Sequence, residues 1–109
     1  MHEIFTTEQW EDLLDQSNEV PILLMKHSST CPISLAAFDA FQRVETDLPK
    51  YYLIVQKSRP LSREIEGDLQ IRHESPQLFL MKNGNVVWQA THYSIREPAI
   101  THAIQEHYA

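Results

Sequence analysis

One cysteine, Cys31, stands in 109 residues. An intramolecular disulfide is therefore impossible, and the disulfide-scaffold and zinc-ribbon classes fall together. Two glycines and six prolines are too few for a collagen-like or low-complexity chain. Positive charge is scarce: 9 Lys+Arg stand against 15 Asp+Glu, for a net charge of −6. A general nucleic-acid binder carries a basic excess, so no nucleic-acid partner is expected. Glu3, Glu8, Glu11, Asp12, Asp15 and Glu19 crowd the first 19 residues, which hold no Lys or Arg, and this argues against a transit peptide. The longest strongly apolar run, Pro21 to Met25, falls far short of the ~20 residues of a membrane span. The expectation is a cytoplasmic protein with no membrane partner.

What is present fits an ordinary globular domain, with 42% hydrophobic and 22% charged residues. The length suits one domain over residues 1–109. A domain of this size buries roughly 60–70% of the surface its unfolded chain exposes, enough to fold without staples. Thr6 with Gln9 three residues on makes a capping box, and Phe5 and Trp10 stand where a hydrophobic staple would place them. Trp10, Leu13 and Leu14 share one helical face, predicting a helix over 7–17. Val20 to Lys26 reads as a buried central strand. Leu35, Ala36, Ala37, Phe38, Ala40, Phe41 and Val44 predict a helix over 32–47, stopped by Pro49. Tyr51 to Lys57 is rich in β-formers, and Leu61, Ile65 and Leu69 recur every four residues after Pro60. Asn83-Gly84-Asn85 between Gln77–Lys82 and Val86–Thr91 is a hairpin signal. Ser94 and Glu97 suggest a second capping box before a last helix carrying Ile100, Ala103 and Ile104. A very short first strand fits near Glu3–Phe5.

This order gives a βαβ crossover followed by an antiparallel ribbon. The predicted class is α/β with a thioredoxin-like fold, a central mixed sheet flanked by helices. Such a fold does not by itself imply a function.

Cys31 follows the predicted buried strand and opens a helix. Pro32 suits the first helical position, where its missing N–H costs nothing. Cys31 then becomes the N-cap, its sulfur facing the free N–H groups of Ile33 and Ser34. Those donors and the positive end of the helix dipole favour a thiolate, the attacking species in disulfide exchange. Ser34 occupies the place where a dithiol oxidoreductase keeps its resolving cysteine. A hydroxyl cannot resolve a mixed disulfide, but it can donate to the thiolate or cap the helix. Cys-Pro-Ile-Ser is thus the layout of a monothiol enzyme. A lone cysteine is more often a small buried hydrophobe, but polar His27, Ser28, Ser29 and Thr30 argue against an apolar site.

Before the hairpin lies His73-Glu74-Ser75-Pro76-Gln77. A thioredoxin-like fold places a cis-proline there, beside the active cysteine, so a cis Ser75–Pro76 bond is expected on the fold reading. The Ser75 backbone would then meet an extended substrate as an added strand does. His27, His73 and His92 come from loops that the fold could bring near Cys31. Neither H-x-x-x-H nor C-x-x-C occurs, so no metal site is expected.

The segment Lys26-His27-Ser28-Ser29-Thr30-Cys31-Pro32-Ile33-Ser34 resembles the Thr-Cys-Pro-Ile-Ser region of the monothiol bacilliredoxins of the YtxJ type. So do Val55 to Ser62, the run His73 to Gln77, and Val87-Trp88 with Thr91-His92-Tyr93-Ser94-Ile95. Thr91 and Tyr93 vary a Ser-His-Trp segment found in some members. The resemblance implies a cytoplasmic enzyme that removes bacillithiol from protein mixed disulfides. Cys31 and Ser34 would be catalytic, and Thr30, Pro32, Ile33, Ser75, Pro76 and His92 would bind substrate. It implies no bound cofactor. Bacillithiol would be the thiol co-substrate, bacillithiolated clients the partners, and an NADPH-dependent bacillithiol disulfide reductase an indirect one. Two other readings compete: an Fe–S carrier holding a cluster between Cys31 and an external thiol, and a non-catalytic thioredoxin-like adaptor.

Overall fold

Thr6 opens the first helix through its side chain, in the computed structural model that describes residues 1–108. Its hydroxyl accepts from Gln9 N at 3.1 Å while Gln9 Oε1 accepts from Thr6 N at 3.2 Å, a complete capping box. Helix α1 runs Thr7–Gln16 and buries Trp10 and Leu13. Phe5 stays 53% exposed, so the expected staple is loose. Trp10 is held instead by its indole N–H, which donates to Asp68 at 2.8 Å.

Strand β1 is His2–Glu3, β2 is Ile22–His27 and β3 is Lys50–Ile54. Both β1 and β2 pair with β3 in parallel. Strands β4, Gln77–Lys82, and β5, Asn85–Thr91, form an antiparallel ribbon, with β4 against β2. The sheet order is β1-β3-β2-β4-β5. The hairpin closes through Asn83 and Gly84, both with positive φ (54° and 75°), as a two-residue turn of this twist requires. Asn85 therefore belongs to the strand. The hairpin tip docks on the end of α1, where Ser17 Oγ accepts from Gly84 N at 2.8 Å.

Helices α2, Pro32–Arg43, α3, Arg59–Leu69, and α4, Glu97–Tyr108, complete the layers. Alternation along β2 divides the core. Leu23 and Met25 join Ala37, Phe41, Leu78, Leu80 and Ile100 on one face. Ile22 and Leu24 join Trp10, Leu13, Leu61, Ile65 and Phe79 on the other. Full burial of each large side chain stabilises by about 1.5–3 kcal/mol.

Several predicted boundaries move. Strand β2 begins at Ile22 and runs through His27, and β3 stops at Ile54, with Val55–Lys57 turning out of the sheet. Helix α2 ends at Arg43, four residues before the predicted stop. Val44 turns extended (ψ 124°) and buries in the core, as does Leu48. The Lys50 ammonium donates to Phe41 O and Gln42 O at 3.0 and 3.2 Å and also to Val44 O, satisfying the carbonyls that the helix end leaves free. Burial lowers the Lys50 pKa from its ordinary value. The Ser94–Glu97 capping box does not form at the predicted place. Ser94 closes a single 3-10 turn, His92–Ser94, and α4 starts only at Glu97.

Candidate active site

The carboxyl ends of β2 and β3 lie beside the start of α2. Cys31 is the N-cap, with extended backbone (φ −101°, ψ 122°), and its carbonyl accepts from Leu35 N at 2.9 Å. Pro32 takes the first helical position and is exposed. No acidic residue stands in the first turn, so the positive end of α2 is not neutralised by a carboxylate. Cys31 is a free, half-buried thiol and makes no side-chain capping bond. The expected seating of sulfur on the Ile33 and Ser34 N–H groups is therefore not formed. A neutral thiol is a weak acceptor, and only the thiolate gains much from those donors.

Ser34 is wholly buried. Its Oγ accepts from Ser28 N at 2.8 Å and lies 2.8 Å from His27 Nδ1. Of the two roles open to Ser34, donating to the Cys31 sulfur or capping the helix, neither is formed, because these two partners at the end of β2 hold the hydroxyl. Burial keeps the His27 pKa below its ordinary value, which favours the neutral imidazole. His27 also stacks on Phe38 of α2, centroids 4.3 Å apart and planes within 9°. Phe38 in turn meets Tyr52 edge-on at 5.0 Å. A stacked and hydrogen-bonded column thus ties the end of β2 to the first turns of α2 and fixes the turn that carries Cys31.

Gln56 secures that turn from the other side. Its Nε2 donates to Ser28 Oγ at 2.7 Å and Thr30 Oγ1 at 3.1 Å, and its Oε1 accepts from Ser29 N at 3.3 Å. Sequence reasoning did not single out Gln56. Its position just beyond a strand that pairs with the one leading to Cys31 was the available signal.

The Ser75–Pro76 bond is cis. Pro76 is buried, and its carbonyl accepts from His92 N at 3.1 Å, tying this loop to the 3-10 turn. His92 has φ 49°, and its Nε2 lies 3.8 Å from Glu74 Oε2. Ser75 Oγ is buried without a protein partner. Ile33 and His92 line one cleft of about 620 Å³ between α2 and the start of α4. The structure therefore connects Thr30 to Gln56, Ile33 to His92, and His92 to Pro76. His73 does not join this group, because its imidazole packs against Lys26 and Ser62 on the opposite face of the sheet.

Comparison with known proteins agrees with the fold. The family described as monothiol bacilliredoxin BrxC matches residues 2–100. A solved thioredoxin-fold structure, assigned provisionally as an oxidoreductase, is 37% identical with a TM-score of 0.86. The match covers 93% of this chain and 90% of that one. The thioredoxin of Fasciola hepatica superposes with a TM-score of 0.79 at 13% identity, over 98% of this chain and 99% of its own. The thioredoxin of Malassezia sympodialis gives 0.78 at 16% identity, over 100% and 91%. These two distant neighbours show the thioredoxin fold alone. The single cysteine at the start of α2, the thioredoxin fold and the match over residues 2–100 together make this chain a member of the monothiol bacilliredoxin family.

Proposed function

We propose that the protein removes bacillithiol from protein mixed disulfides in the cytoplasm, with bacillithiol itself as the second substrate and no bound cofactor. The observation that carries this reading is the pair Cys31 and Ser34. The only sulfur nucleophile of the chain caps a helix, and a buried hydroxyl stands where a resolving thiol would be. A mixed disulfide formed on Cys31 then has no internal thiol to attack it and must await an external one.

In the first step the Cys31 thiolate attacks the bacillithiol sulfur of the modified client. The Cys31–bacillithiol disulfide forms, and the client sulfur leaves as a thiolate and takes a proton. In the second step the thiolate of another bacillithiol attacks the adduct. Cys31 is freed and bacillithiol disulfide departs, to be reduced elsewhere by an NADPH-dependent reductase. Overall, one client disulfide is reduced and two bacillithiol units are joined. The start of α2, with its first N–H groups free and no acidic side chain in its first turn, stands beside the sulfur that attacks in the first step and leaves in the second. Thr30, Pro32 and Ile33 border the sulfur in sequence. The Ser75 backbone, Pro76 and His92 would hold the incoming segment in extended form.

Intact-mass analysis after mixing with a bacillithiolated client tests the reading. The expected result is one bacillithiol on Cys31, an unmodified client, and no adduct on Cys31→Ser. A client that stays modified, or an adduct on the Cys31→Ser protein, would overturn it. Transfer only from a glutathionylated client would replace the thiol and leave the oxidoreductase chemistry standing.

A further inference from the structure

Positive charge is scarce in this chain, yet much of it gathers in one place. Arg59, Arg63 and Arg72 line a cleft of about 400 Å³ with Ser62, Glu66 and His73, between α3 and the loop that follows it. The acids nearby are otherwise engaged. Glu64 accepts from the Thr7 hydroxyl at 2.9 Å, Asp68 from the Trp10 indole at 2.8 Å, and Glu66 from His73 N at 2.7 Å. Among the described residues none of the three guanidinium groups lies within 4.0 Å of a carboxylate; the ion pairs present involve Arg43, His92 and His102.

Beneath the cleft lies Lys26, wholly buried in an otherwise apolar stretch of β2. Its ammonium donates to Ser62 O at 3.0 Å and lies 3.1 Å from His73 Nδ1. Both partners line the cleft. No carboxylate binds the ammonium directly, and a buried cation without one is costly. Burial lowers the Lys26 pKa to about 8, with Glu66 pulling it upward. Burial and then the Lys26 charge lower the pKa of His73, Glu66 and Glu74 oppose them, and Arg59 adds a smaller downward push. The three arginines and the imidazole thus line one space together with Glu66, Lys26 lies buried behind it, and no carboxylate is in contact with the guanidinium groups.

We propose that this cleft binds a small oxyanion bearing two or more negative charges, as carboxylates or a phosphate. Guanidinium forks donate to such groups in bidentate fashion, and Lys26 adds a positive charge behind them. The anion could be a free metabolite or the charged end of a low-molecular-weight thiol. Val55 borders the cleft and donates to His27 O at 2.8 Å, which places the site next to the turn leading to Cys31. The proposal does not depend on which thiol Cys31 serves.

Calorimetric titration with inorganic phosphate and with citrate, at constant ionic strength set by sodium chloride, is the test. Wild type should bind at least one of them saturably. The exposed triple variant Arg59→Gln/Arg63→Gln/Arg72→Gln should bind at least about 10-fold more weakly. A charge control, Arg43→Gln/Lys82→Gln, should bind as wild type does. No saturable binding by wild type, or equal binding by the triple variant, would overturn the proposal. So would an equal loss in the charge control, since net charge alone would then account for it. The source of the anion is separated by the rates at which Cys31 reacts with glutathione disulfide, which carries carboxylates, and with cystamine, which carries none. If the triple variant slows only the first, the cleft holds the charged end of a thiol substrate. If neither rate changes while phosphate or citrate binding is lost, the cleft takes a free anion.

Discussion

Lys26 and His27 are neighbours at the end of β2, both buried, and they face opposite layers. His27 stacks on Phe38 and engages Ser34, under the turn that carries Cys31. Lys26 engages Ser62 and His73, under the arginine-lined cleft. Burial lowers the pKa of both, but the outcomes differ. An imidazole with a lowered pKa is neutral near pH 7 and serves as a rigid, hydrogen-bonded prop. An ammonium with a pKa of about 8 is still mostly charged there, so one positive charge stays beneath the cleft on its face of the sheet. One polar pair therefore supports two kinds of site: a fixed thiol turn on one face and a cationic cleft on the other.

Lys26→Met removes the charge from its side of the comparison. The shift from 10.5 to about 8 corresponds to a penalty of roughly 3 kcal/mol at pH values where both folded and unfolded states carry the ammonium. Two hydrogen bonds are lost with it, so a gain of about 1–2 kcal/mol is expected below pH 8. From pH 8 to 10.5 the unfolded state holds more protons than the native state, and wild-type stability rises relative to the variant. Urea unfolding across this window measures the difference. A gap that does not change with pH would remove the desolvation argument.

Ser34→Ala breaks the other side. It leaves Ser28 N without its partner and His27 Nδ1 without the hydroxyl, at a cost of about 1–3 kcal/mol in stability. Transfer at Cys31 should slow without stopping, because the nucleophile and the helix start remain. Unchanged urea midpoint and rate would show that this column does not support the turn. Ser34→Cys should shorten the life of a Cys31 adduct, read by mass spectrometry over time. An unchanged lifetime would mean that position 34 does not reach the sulfur.

Acidification discriminates more gently. His27 and His73 both have folded pKa values below 6.5. Below pH 6.5 the unfolded state takes up protons first, so stability should fall as pH drops from there toward the folded values. His27→Phe keeps an aromatic face for Phe38 and should show a shallower decline in thermal midpoint. The same slope in both proteins would assign the effect elsewhere. The smallest change is expected from Gly67→Ala in α3, beside Glu66 but outside the lining of the cleft. A Cβ there meets nothing within 4 Å, so removing a helix-interior glycine should add about 0.5–1 kcal/mol. A loss of stability in urea would show strain that the open space does not reveal.

Much of the fold was legible because its signals are local. The Thr6–Gln9 box, the Asn83-Gly84 turn, Pro32 at a helix start and the apolar run of β2 each act over a few residues, where propensity and periodicity suffice. The N-cap position of Cys31 followed from the same kind of signal. The overlong reading of α2 failed because Lys50, from the next strand, takes its terminal carbonyls and Val44 turns into the core. The Ser94–Glu97 pair had the right spacing, but the chain makes a 3-10 turn tied to Pro76 before α4 begins.

What the sequence by itself determined is the order of elements and one thiol, without an internal resolving partner, at the mouth of a helix. Tertiary structure alone decided where the polar groups point. Ser34 looked free to serve Cys31 until β2 and α2 packed and brought His27 and Ser28 to its hydroxyl. Lys26 closed a strand read as buried, and nothing local named its partners, which lie 36 and 47 residues away, on α3 and the loop beyond it. Hydrogen-bond partners so distant in sequence are chosen by how the layers dock, because a buried donor must be satisfied by whatever the fold places within about 3 Å.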